Sequence, residues 1–356
     1  MKLSYALIAA IVVVAFLISV PLLNTTKEDF STYNTAWNGA SDAKALASSD
    51  GYTTRSVFAL SEIGSGDGVL FMLNPNSSVS FSASDASTLQ SFVKNGGVLV
   101  LANDFGNGNA VLSGLGVSAA RFNGSLLEDN VSKGVDAAHP LITDVNASGI
   151  TAGVHELYFN YGTALDVSGT NVTVLARSAP TSYLSTSASA NLSATTGAHP
   201  VLATFTYGDG RIVLLSDPSV FINDMLGQAD NQQLLTSMFA NLTGGNTAAP
   251  IMFDESHRAS APVWSLLYDR INADDTVKYT VIVLVSAAFV IGINATALVR
   301  RRQRQEMGPA PGDVPTNEAA VITDIVRAHP GWRRARVKGF LKQLQQRRGI
   351  RRDNRK

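Results

Sequence analysis

The chain contains no cysteine in 356 residues. That excludes disulfide staples, thiol nucleophiles and thiolate metal sites, so a folded domain must hold together by core burial alone. Familiar catalytic signatures are missing too. No G-x-x-x-x-G-K-[ST] phosphate loop and no G-x-S-x-G nucleophile elbow occurs. His155-Glu156 opens an H-E-x-x-H pattern, but Phe159 stands where the second His belongs, and one His cannot supply the paired ligands of zinc. Gly106-Asn107-Gly108 lacks the third glycine of the dinucleotide fingerprint, which argues against a nucleotide there. No cofactor is expected.

Net charge is also absent, since 28 Lys/Arg balance 28 Asp/Glu. The zero conceals two unlike compartments. Residues 24–277 hold 10 Lys/Arg against 23 Asp/Glu, a net of −13. From Arg300 to the end, 16 Lys/Arg face 5 Asp/Glu, a net of +11. Residues 3–23 and 279–299 are uncharged, apolar and 21 residues long each, enough to cross roughly 30 Å of hydrocarbon as helices. Arg300, Arg301, Arg302 and Arg304 follow the second and would meet anionic lipid. The positive-inside rule then puts both termini in the cytoplasm and residues 24–277 outside the cell membrane. Residues 19–23 offer no A-x-A-like site, which favours an uncleaved anchor over a cleaved signal peptide. The expected organisation is an anchor over 1–23, an outer domain over 24–277, a transmembrane helix over 278–299 and a basic tail over 300–356. Eight of the nine N-x-[ST] sequons, at Asn24, Asn76, Asn123, Asn130, Asn146, Asn171, Asn191 and Asn241, fall in the outer block and agree with that topology, while the ninth, at Asn294, lies inside the second apolar segment and should be inert.

The outer block reads as alternating helices and short buried strands, the pattern of an open α/β sheet. Residues 24–41 look like a polar approach from the membrane. A helix is expected over 36–49 and strands over 56–60 and 69–73. Ser84 or Asp85 can cap a helix presenting Leu89, Phe92 and Val93, followed by a strand over 98–102 and a short helix over 110–115. Residues 118–197 are less regular, with strands over 156–161 and 171–177. A hairpin of 201–207 and 211–216 turns at Gly208-Asp209-Gly210. A helix capped by Asp230 or Asn231 then shows Leu234, Leu235, Met238, Phe239 and Leu242 on one face. The tail should form two amphipathic helices, broken at His329-Pro330-Gly331. One carries Val321, Ile322, Ile325 and Val326, the other Val337, Phe340, Leu341 and Leu344.

Two polar clusters invite chemistry. Asp217-Pro218 closes an apolar strand near Asn223, Asp224, Asp230 and Asn231, and Asp104 would end a sister strand at the same edge. In the plainer reading Asp217 caps a helical turn with Pro218 at its first position. In the functional reading these oxygens build a polar or cation-binding crevice. The second cluster is Asp254, Glu255, His257 and Arg258, either a catalytic or ligand-binding set or an ion-paired, solvated edge. In the tail, the apolar helix faces favour a cytoplasmic protein partner or a small hairpin fold, and non-specific nucleic-acid binding is disfavoured.

Four pieces carry a resemblance: DASTLQSFVKNGGVLVLANDFGNGN, YGDGRIVLLSDPSVFINDML, ADNQQLLTSMF and FDESHR. Through them the chain resembles the family called domain of unknown function 4350, over about residues 34–258. The resemblance implies a flavodoxin-like, class I glutamine amidotransferase-like sheet with helices on both faces, here flanked by two transmembrane helices. The amidotransferase cysteine has no counterpart in this chain. The resemblance further implies a setting near MoxR-type ATPases, and the envelope features fit an archaeal surface protein.

The expectation is a membrane-anchored, non-catalytic binding or scaffold protein of the cell envelope, with Asp104, Asp217, Asn223, Asp254 and Arg258 as ligand-binding candidates. A different class is a hydrolase using Glu255 and His257 as acid and base, with a metal at Asp217. A third is an accessory subunit of a transport or ATPase-linked assembly.

Overall fold

Uninterrupted apolar runs such as VLFML and VLVLA cannot show one face to water, so they are placed where both faces are covered. A computed structural model bears this out, describing residues 26–185, 196–260, 276, 279–280, 283–284, 286–287, 290 and 318–353. Its main sheet has eight strands: β1 (Thr54–Val57), β2 (Val69–Leu73), β3 (Val98–Ala102), β4 (Asp144–Val145), β5 (Thr173–Arg177), β6 (Pro200–Tyr207), β7 (Gly210–Leu215) and β8 (Ile251–Asp254). Their order is β1-β8-β2-β3-β7-β6-β5-β4. The pairs from β1 through β7 are parallel, and β6, β5 and β4 continue the sheet antiparallel.

Two parts of the expected fold are corrected. Numbered among themselves in chain order, the parallel strands run 1-5-2-3-4, not the flavodoxin 2-1-3-4-5. The difference arises because β8, the last strand, inserts between the first two. It is only four residues long and closes on Asp254, so its pattern does not announce a central strand. Its side chains nevertheless fit the middle of the core: all four positions are buried, and Phe253 stacks on Phe71 of β2 with ring centroids 5.4 Å apart. The second correction concerns the flanking transmembrane helices, which are not supported. Among the described residues no helix is long and apolar enough to cross a membrane. Segments 3–23 and 279–299 lie wholly or mostly outside the described residues, as do Arg300, Arg301, Arg302, Arg304, Asn24 and Asn191. What stands is a mixed α/β domain built on a large sheet.

Helices α1 (Ser41–Ser49), α2 (Ala83–Lys94), α3 (Gly108–Gly114) and α4 (Asn231–Leu242) cover this sheet. Alternation along each strand sorts the apolar residues into two cores. Phe71, Val100, Val213 and Phe253 pack with Ala43 and Ala47 of α1 and Leu234, Met238 and Phe239 of α4. Leu70, Leu99, Ile212 and Met252 pack with Leu89 and Phe92 of α2 and Val111 and Leu112 of α3. Each fully buried side chain of this size contributes about 1.5–3 kcal/mol, so a domain without disulfides has ample driving force.

Local chemistry sets the boundaries. Ser82, rather than Ser84 or Asp85, caps α2, in a reciprocal box with Asp85. The β6–β7 hairpin turns on Gly208, whose φ of +64° suits a glycine at that corner. Asp230 precedes α4, but its carboxylate accepts from the His155 and Glu156 amides instead of capping the helix. Residues 26–40 are not a solvated approach. They fold back in turns that bury Ser31, Thr32 and Asn34.

A second unit contains α5 (Glu318–Ala328) and α6 (Arg334–Asp353). Ile322 and Val337 are buried in it, and the Arg334 guanidinium donates to Thr323 Oγ1 at 3.1 Å. The two helices and the break at His329-Pro330-Gly331 match the expected pattern.

Candidate functional site

Parallel strands all end on one side of a sheet, so the residues that follow them gather along one edge. Register places Val57 beside Asp254, and Leu73 and Leu215 beside Ala102. The segments leaving those residues carry most of the candidate side chains: 254–258 after β8, Asn74 to Ser77 after β2, Asp104 to Gly106 after β3, and Asp217 after β7. Four adjacent strands from β8 to β7 span three strand spacings, about 14 Å. Asp217 and the 254–258 turn therefore stand at opposite ends of the edge, with Asp104 between them.

The 254–258 turn is buried, neither a solvated edge nor an open catalytic set. Glu255 has a side chain with 0% exposure. Its carboxylate accepts from the Thr32 amide at 2.7 Å, the Thr32 hydroxyl at 2.7 Å and the Ser31 hydroxyl at 2.8 Å. Arg258 Nε lies 4.0 Å away with no hydrogen-bond partner of its own. Its terminal nitrogens donate to the Phe30 and Asn74 carbonyls at 3.1 and 3.4 Å. Burial raises the Glu255 pKa, and Arg258, Thr32 and Ser31 offset part of that rise. His257 is sealed in as well, its side chain 4% exposed. Its Nδ1 lies 2.9 Å from Asp254 Oδ2, and its Nε2 lies 3.9 Å from Asp85 Oδ2. Burial pulls the His257 pKa down, but the bond and charge of Asp254, with the charge of Asp85, outweigh it and leave the pKa raised.

Asp217 does what its neighbour Pro218 suggests. It caps the short 3-10 turn Pro218–Phe221, accepting from the Ser219 amide at 2.8 Å, and its other oxygen accepts from the Asn160 amide at 2.6 Å. Burial, with the charge of Asp104 added, raises its pKa to about 7. Asn223 is likewise structural. Its amide nitrogen donates to the Ala36 carbonyl at 2.7 Å, and its oxygen accepts from the Asp42 amide at 3.0 Å, pinning the start of α1. Among the described residues no three His, Asp or Glu side chains converge as metal ligands.

Of the candidates, only Asp104 and the largely buried Arg258 border a common cleft. They line a cleft of about 550 Å³ at the carboxyl edge, with Lys27, Glu28, Asp29, Phe30, Asn74, Asn76, Ser77, Phe105 and Gly106. Asn74 creates its floor. A left-handed φ of 43°, which Asn tolerates, swings the chain out of β2 into Pro75. Gly106 is required beside it, because a Cβ there would come 2.3 Å from Asn74 Oδ1. Phe105 stands half exposed at the rim. Burial raises the Asp104 pKa, against hydrogen bonds that lower it. The cleft residues 27–30 and 74–77 carry no motif; their only sequence sign is the abrupt Asn74-Pro75-Asn76 stop.

Sheet and cleft together define a class, the mixed α/β domain with a polar crevice at the carboxyl edge of its parallel strands. The family described as domain of unknown function (DUF4350) matches over residues 32–239, more than half of the chain, and the chain belongs to that family. The matched region stops short of β8. No curated protein matches the chain. Among solved structures it is similar to the mmIFT52 N-terminal domain, with 16% identity over 50% of this chain and 78% of that one, at a TM-score of 0.40. A β-galactosidase from Bacillus circulans sp. alkalophilus shows 15% identity over 51% of this chain and 23% of its own, at 0.32. Likenesses of that size carry no argument about function.

Proposed function

We propose that residues 26–260 form a non-catalytic binding or scaffold module whose ligand enters the cleft lined by Asp104, Phe105, Asn74 and Arg258. One observation carries this reading. The groups suited to acid–base chemistry, Glu255 and His257, are shut away and committed to internal partners, whereas the open cleft offers fixed polar groups beside an exposed ring. A hydrolase would need Glu255 and His257 to reach a substrate. An extracytoplasmic position belongs to the same reading, supported by sequons whose Asn130, Asn146, Asn171 and Asn241 are exposed; an unaltered mass after deglycosylation would remove that support.

The test is ligand-dependent stabilisation, because a ligand held only by the native state raises the melting temperature. Panels of small molecules and envelope extracts are screened by thermal shift against the wild type and against Asp104→Asn and Phe105→Ser. The expected result is a shift in the wild type that both variants lose, with little change in their unliganded melting. A hydrolytic turnover abolished by Glu255→Gln, or a shift indifferent to both cleft variants, would overturn the reading.

A further inference from the structure

Helical hairpins normally spend their large apolar side chains on each other. The hairpin of α5 and α6 does so only in part. Ile322 and Val337 are buried, with Val321, Ile325, Val326 and Leu341 partly covered. Trp332 at the bend and Phe340 and Leu344 on α6 are left 57%, 62% and 45% exposed. Phe340 and Leu344 are four residues apart and lie on one side of the helix. Trp332 stacks on His329 at 4.7 Å between ring centroids, which holds the bend together while the indole stays accessible.

The charge around these side chains is of one sign. Residues 318–353 contain ten Lys/Arg and three Asp/Glu, a net of +7. Arg336 precedes Phe340 by one helical turn and is itself exposed, as are Lys338 and Lys342. A protein groove would pay to desolvate that many cations, and a duplex nucleic acid would use the charges but leave the apolar side chains in water. An anionic lipid surface satisfies both. Aliphatic and aromatic side chains sink to the acyl boundary, an indole sits at headgroup level, and long basic side chains reach back to the phosphates.

We propose that the α5–α6 hairpin seats Phe340, Leu344 and Trp332 on an anionic lipid surface. The proposal stands or falls independently of the ligand reading. The full chain is mixed with vesicles of phosphatidylcholine alone or with a third of phosphatidylglycerol. Brominated lipids report contact with Trp332, isolated as the difference between the wild type and Trp332→Phe. The expected result is quenching of the Trp332 signal on anionic vesicles only. It falls steeply at high salt and is weakened about tenfold or more by Phe340→Asp with Leu344→Asp, both of which leave the buried Ile322 and Val337 untouched. A Trp332 signal that ignores vesicles, is equal on neutral vesicles, or responds to nucleic acid and not to lipid would overturn the proposal.

Discussion

Glu255 joins the two ends of the domain: its oxygens hold Ser31 and Thr32 at the start, and its charge faces Arg258 at the finish. Removing one partner of such a buried pair costs more than the pair contributes, because the other charge is left uncompensated. Glu255→Ala should therefore lower the unfolding free energy by about 3–5 kcal/mol in denaturant titration, with Arg258 stranded beside it. A catalytic residue would instead leave stability nearly unchanged and remove turnover. The buried titratable groups also give stability a slope in pH. Asp217 binds its proton more tightly folded, with a pKa of about 7, than unfolded, near 3.8. Its contribution is complete below the unfolded value and declines as pH rises towards 7, by about 4 kcal/mol at most. His257, also raised, adds a further decline above about pH 6.5. Melting curves from pH 4 to 8 should fall across both windows, and Asp217→Asn should make the lower part of the slope shallower, with Asp104 and Glu255, both raised by burial, supplying what remains. A flat profile in the wild type would contradict both assignments. The cap at Asp217 was legible because Asp-Pro after a strand is a local signal. The partners of Glu255 were not, because Ser31 and Thr32 lie more than 220 residues away and no short pattern links them.

Among elements, β8 matters most. Strands β2, β3 and β7 could be read directly, since five successive apolar residues in β2 and β3, and four in β7, admit few other placements. Their helices were equally clear from apolar spacing. β8 and the turns of residues 26–40 were not, because tertiary pairing rather than local preference makes them what they are. Ile251, Met252 and Phe253 bond to β1 on one side and β2 on the other. A chain ending at Gly245 retains everything the family match covers, yet both neighbours would be left with unpaired edges and the Phe71–Phe253 contact would vanish. Such a chain should show no cooperative melting by circular dichroism, while one ending at Ser260 should melt in a single transition. Cooperative folding of the shorter chain would show β8 to be an accessory.

At the scale of the molecule, the acidic and basic blocks correspond to two separate units, an α/β domain and a basic helical hairpin. The acidic block surrounds a core large enough to need no covalent staple, whereas among the described residues of the basic block Ile322 and Val337 are the buried apolar side chains, and charge and exposed rings dominate. The position of β8 has a consequence in time. Roughly 200 residues separate the end of β1 from the end of β8, which at about 5–20 residues per second is about 10–40 s of synthesis. Until β8 is made, β1 and the β2 that follows it lack the strand that joins them, and parallel pairing over so long a loop is slow in its own right. The newest strand, not the oldest, decides when the sheet becomes one piece.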